Sequence, residues 1–251
     1  MNKKTFFAFV LIAAVAFSCS KDENTPEPTT TPTTTSTPTP TGNATGNAQP
    51  NFVGADASLW AVKSLSVTYV TGMPPITTTI GLGVAAFNNG TSLVSAGTVK
   101  LNTNTLTLNS NNSYSYTIGA SNPTGIDFSS GVNWDVSGAN GFGAFTKSVT
   151  LGFPTVSEVT SSATITKASG YTLTVNTVTN ADSVLFLIGG VSKTLAGNAI
   201  SCSFSPSELS SLNNGSTVVQ VAAYKFANET LGGKNIYYGN ETVQSKTATI
   251  Q

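Results

Sequence analysis

Two carboxylates, Asp127 and Asp135, flank Asn133 and Trp134 in the stretch GIDFSSGVNWDVSGANGFG. Aromatic rings stack on the apolar faces of sugars, and carboxylates accept hydroxyl hydrogen bonds or run acid-base chemistry, so this pattern could bind or cleave a glycan. The same residues have a structural reading. Turn glycines at 131, 138 and 141 make Val132 to Val136 a short strand in which Trp134 shares a face with both valines and plugs a core, while the aspartates cap turns through their own backbone. Alternation favours the core. Two acids falling near each other say little about catalysis, so a glycoside hydrolase using Asp127 and Asp135 is the lesser alternative.

Tyr237 and Tyr238 form a second aromatic pair. Neighbours in a strand point to opposite faces, so one ring is expected to face outward beside Lys234, on a ligand surface or guarding an edge. Gly81-Leu-Gly-Val-Ala-Ala has the outline of a dinucleotide fingerprint, yet Asn88-Asn89-Gly90 ends the segment before a helix could open, and Leu82, Val84 and Ala86 keep a period of two. Strand glycines are the better reading.

Composition removes whole classes of chemistry. The chain has no histidine and no arginine, which excludes Ser-His-Asp and Cys-His catalysis and leaves only scattered carboxylates and Cys202 for a metal. No metal, no cofactor and no enzymatic activity are expected. Eleven lysines balance eleven acids and are spread singly, so no basic patch is formed for nucleic acid. Cys202 alternates with Ile200 and Phe204 and is expected in a core.

The elements that carry these residues are strands. Leu65, Val67 and Tyr69 share one face, as do Ile80, Leu82, Val84 and Ala86; Leu106 and Leu108, then Tyr114, Tyr116 and Ile118, continue the pattern, with turns at 88–90 and 109–112. After Pro154 a second set begins near Val156 and continues through Ile165, Tyr171 to Val175, Asp182 to Ile188 and Ile200 to Phe204. Ser205-Pro206-Ser207-Glu208 is a capping box with proline at the first helical position, so a turn or two of helix should follow to Leu212. Strands are then expected at Thr217 to Phe226, Ile236 to Tyr238 and Thr247 to Ile250. The fold class is all-β, as two tandem antiparallel sandwiches over 51–155 and 156–251. Short strands with a lone helical turn before a long strand resemble an immunoglobulin-like or fibronectin-type sandwich, over residues 157 to 251.

The N-terminus supplies an address. Lys3 and Lys4 precede the apolar run Phe6 to Phe17, too short to span a bilayer, which then meets polar residues. Ala16-Phe17-Ser18-Cys19 resembles the loose lipobox of Bacteroidota lipoproteins, and Ser20, Lys21, Asp22 and Glu23 are similar to the acidic signal that sends such proteins to the cell surface. The resemblance implies a signal peptide over 1–18, acylation of Cys19 and an outer-membrane location facing the exterior. An ordinary signal-peptidase cut after Ala14-Val15-Ala16, with Cys19 free to pair with Cys202, is the alternative. Thr25 to Pro50 holds six of the eleven prolines and almost no apolar side chain, so 19–50 reads as a disordered stalk behind the lipid. Its reach is between ~30 Å as a coil and ~95 Å as polyproline II. The expected partners are the membrane and a glycan or surface protein; a spacer or assembly subunit without a soluble ligand is the runner-up.

Overall fold

The computed structural model describes residues 54–68, 72–73 and 76–251. The expected signal peptide over 1–18, Cys19, the expected export signal at 20–23 and the expected stalk therefore lie outside the described residues. The fold is all-β and sandwich-like, with one short helix, as the alternation implies.

The first half contributes eight strands. These are β1 (Ala57–Thr68), β2 (Ile76–Phe87), β3 (Val99–Leu101), β4 (Asn104–Thr105), β5 (Thr107–Leu108), β6 (Tyr114–Ser115), β7 (Val132–Val136) and β8 (Phe145–Val149). The second half opens with β9 (Thr155–Val156), β10 (Thr164–Ile165), β11 (Tyr171–Thr174) and β12 (Val178–Thr179). It continues with β13 (Ser183–Ile188), β14 (Val191–Ala196) and β15 (Ser201–Phe204). The helix α1 (Pro206–Leu209) and the long strands β16 (Gly215–Leu231) and β17 (Lys234–Ile250) complete it. The capping box forms as the sequence requires: the Ser205 hydroxyl accepts from Glu208 N, and Glu208 reaches back to Ser205 N.

One sheet runs through both halves in the order β14-β13-β16-β17-β1-β2-β6-β5. Its centre is unlike the antiparallel sandwiches expected, because β1 lies parallel to β17, with Ala57 opposite Ile236 and Ser66 opposite Ser245. On its other side β1 pairs antiparallel with β2 from Ala57–Phe87 to Thr68–Ile76.

Alternate residues of β17 explain the layering. Ile236 and Tyr238 join a first core with Leu59, Phe87, Leu101 and Trp134, beneath the small sheet β4-β3-β7-β8. Ala248 and Ile250 join a second core with Phe186, Leu173, Cys202 and Phe204. Between them Asn240 donates to the Gly152 carbonyl and Thr242 to the Pro154 carbonyl, so the chain linking the halves is strung along the same face of β17. Those bonds answer why polar side chains are buried mid-strand. The opposite face carries a third cluster of Trp60, Val62, Leu82 and Tyr224.

Both faces of β17 are thus covered from Ile236 to Thr242, and both tyrosines of the pair are buried, Tyr237 at 8% exposure and Tyr238 at 2%. Neither ring faces outward, because the sheet here has no solvent face. Gly81 and Gly83 lie within β2, and Gly81 is required by contact: a Cβ there would sit 1.8 Å from the Ile126 carbonyl oxygen.

Candidate functional site

The residues singled out by sequence separate by face. On β7, Asn133 and Asp135 point to solvent while Trp134, 1% exposed, points into the first core with Val132 and Val136. A carboxylate and a ring adjacent in a strand cannot share a ligand unless the strand breaks, and this one pairs with both β3 and β8. Asp127 is exposed and turned into its own loop, where it accepts from Ser129 N at 2.9 Å and from Ser129 Oγ at 2.6 Å. Those hydrogen bonds, followed by the nearby charge of Lys63, hold its carboxyl below the usual aspartate range. Asn133 Oδ1 accepts from Ser148 Oγ across the strand pair.

What the fold brings together is Trp134 and Tyr238, joined by two residues that sequence reasoning did not select. Lys147 stands opposite Trp134 in the β7–β8 register, on the inner face of the small sheet. Its ammonium pairs with Glu229 Oε2 of β16 and lies 5.4 Å from the centroid of the Tyr238 ring. Burial first, and then the Glu229 carboxylate, raise the Tyr238 phenol above its ordinary range. A Lys or Glu alone in a Thr-rich strand carries no sequence signal; only the inward side of the alternation in Phe145–Val149 could have pointed to Lys147.

Trp134 Nε1, buried in the first core, has no hydrogen-bond partner among the described residues. The Tyr238 phenol and the Glu229 carboxylate lie near enough to interact by hydrogen bond and charge. Lys147 and Glu229 side chains remain 33% and 30% exposed, so the cluster reaches the surface between β8 and the β16–β17 hairpin.

A second unusual carboxyl lies on the opposite face. Glu241 is 5% exposed, set by register between Val62 of β1 and Tyr224 of β16. Its carboxyl has no hydrogen bond or ion pair among the described residues, and burial pushes it up to about 8, so it carries a proton at neutral pH. Above it Trp60 and Tyr224 meet edge to face at 5.9 Å. Ser183, at the start of β13, is fully buried.

Among the described residues no group of three or more His, Cys, Asp or Glu gathers as a metal site. Cys202 is packed in the second core, and burial pushes its thiol up to about 11. No protein-family model, curated protein or solved structure matches this chain.

Proposed function

We propose that the chain is a non-enzymatic, lipid-anchored protein of the outer membrane, held through Cys19 and its Thr/Pro stalk and facing the exterior, where its β-sheet body captures glycan or protein. A diacylated cysteine supplies durable attachment, since each buried methylene contributes about 0.8 kcal/mol and two chains suffice. The observation that carries the reading is where the tether would enter the fold. At the start of β1, Asp56 donates its backbone N–H to the Asn235 carbonyl at 2.8 Å, accepts from Asn235 N through its carboxylate at 2.8 Å and pairs with Lys234 at 3.3 Å. The strand that follows is bonded on both sides, to β17 and to β2. Pull from a stalk would load both ladders lengthwise, so many hydrogen bonds resist together, which suits a body held by its N-terminus.

Fractionation of cells carrying Cys19→Ala tests the anchor, and a glycan array with the full mature chain tests capture. Release of the variant into the soluble fraction is expected. Retention in the outer membrane would sink the lipoprotein reading, and an anchored chain that captures neither sugar nor protein would favour the spacer.

A further inference from the structure

The outer edge of β2 is open from Ile76 to Ile80 among the described residues. Further along the strand, the backbone groups of Gly81 and Gly83 face away from β1: Gly81 N donates to the Thr124 carbonyl, the Gly81 carbonyl accepts from Ile126 N, and the Gly83 carbonyl accepts from Tyr116 N. By the same alternation the N–H and C=O of Thr77 and Thr79 point outward. No described strand or loop pairs with them there, since β6 meets β2 only at Val84 and Ala85. Residues 76 to 79 are exposed, Ile76 at 47%. Sheets commonly blunt such edges with charge, and β14 at one end of this sheet carries Lys193, but no charged residue lies between Lys63 and Lys100.

We infer that this edge is a homodimer interface, occupied by the same segment of a second copy of the chain. The segment reads Ile76-Thr77-Thr78-Thr79-Ile80, the same in both directions, and an isologous contact needs such self-complementarity. Antiparallel pairing about a two-fold axis at Thr78 sets Ile76 opposite Ile80 of the second copy and Thr77 opposite its Thr79. The parity is right: Thr77 and Thr79 both face outward, so each such pair exchanges both N–H···O bonds, while Thr78 meets its own copy with side chains close and no bond between them. Ile76, Thr78 and Ile80 share the face of the third cluster, against which Ile80 already packs. Ile80 of the second copy therefore covers the exposed Ile76 and carries that cluster across the axis. The bonds of Gly81 to Thr124 and Ile126 recur at both ends by symmetry and stop the ladder, so a closed pair forms and not a fibre. So short a contact makes a weak, reversible dimer, and it stands whether or not Cys19 is acylated.

The test uses the full mature chain carrying Cys19→Ala, so that no acyl chain drives association, in sedimentation velocity from micromolar to millimolar concentration. A monomer–dimer equilibrium is expected. Thr78→Lys, which sets two ammonium groups opposite each other at the axis, should weaken it at least ten-fold, with the melting temperature within a few degrees because Thr78 is exposed. Leu108→Lys, at an exposed apolar residue of β5, should dimerise as the parent does. Thr78→Cys reads the register: directly opposed residues of an antiparallel pair lie within disulfide reach, and Cys202 is buried, so oxidation in air should link two copies through position 78. Thr79→Cys should link at least ten-fold more slowly, since its two copies lie diagonally apart. A chain that stays monomeric at millimolar concentration, as an edge kept for a foreign strand requires, overturns the inference. So does a dimer indifferent to Thr78→Lys, or one that links Thr79→Cys as fast as Thr78→Cys.

Discussion

The indole of Trp60 lies flat across Gly239: a Cβ added to Gly239 would sit 2.2 Å from Cε3 and Cζ3 of the ring. The two are register partners in the parallel pairing of β1 with β17, so the seam of the sheet depends on a missing side chain. Gly239→Ala should destabilise the protein by about 3 kcal/mol, because ring and strand are both held by their neighbours. Urea unfolding of Gly239→Ala, Trp60→Leu and the double variant checks it. The double variant should recover about 1 to 2 kcal/mol of the summed losses, and full additivity would mean that the two do not meet.

Glu241 makes stability depend on pH in an unusual sense. Its carboxyl titrates near 4.5 when unfolded and at about 8 when folded, so between those values the folded chain holds a proton that the unfolded chain has lost. The contribution of Glu241 is therefore greatest in acid, falls as pH rises across that window and levels off above it. Glu241→Gln should be close to the parent near pH 4 and more stable above pH 8 by on the order of 4 kcal/mol. Parallel pH curves for parent and variant, measured by urea unfolding, would show that the carboxyl is solvated.

Trp134 packs among Val132, Val136, Leu101 and Tyr238 in the first core. Trp134→Ala should cost ~3 to 5 kcal/mol in chemical unfolding and leave a cavity. A cost under ~1 kcal/mol would mean that the indole is solvent-facing in solution.

The two halves are unequal in what they own. The second core is built wholly from residues 156–250, whereas the first takes Ile236 and Tyr238 from β17. A fragment of residues 156–251 should therefore give a cooperative melt, and 51–155 alone should not. Mixing the two should restore structure to the first. Independent folding of 51–155 would show that the β1–β17 seam is dispensable.

Local patterns in the sequence gave most of the strands their positions, since alternation at Leu82, Val84 and Ala86 and at Val132, Trp134 and Val136 reports directly on a two-faced strand. The Ser205 capping box was legible for the same reason, being chemistry within four residues. What escaped is non-local. Ile236 to Tyr238 and Thr247 to Ile250 read as two strands because Gly239, Asn240 and Glu241 interrupt the apolar pattern. In the fold they belong to one strand of 17 residues, each interrupting residue answered by a distant group: Trp60 over Gly239, the Gly152 carbonyl on Asn240 and an apolar wall around Glu241. The candidate site escaped likewise, since Lys147 and Glu229 are 82 positions apart and meet only through the shared sheet.

The central place of β1 also sets an order of events. Asp56 and Asn235, 179 positions apart, bond at the mouth of the parallel seam, whereas β1 with β2 and β16 with β17 are hairpins that local chain can close by itself. Pairings between distant segments form slowly because a long loop must close before any contact rewards it. The slot for β1 does not exist until β17 is laid down, so a chain emerging N-terminus first carries its β1–β2 hairpin with one edge bare until synthesis is almost complete. That edge is where premature association would begin.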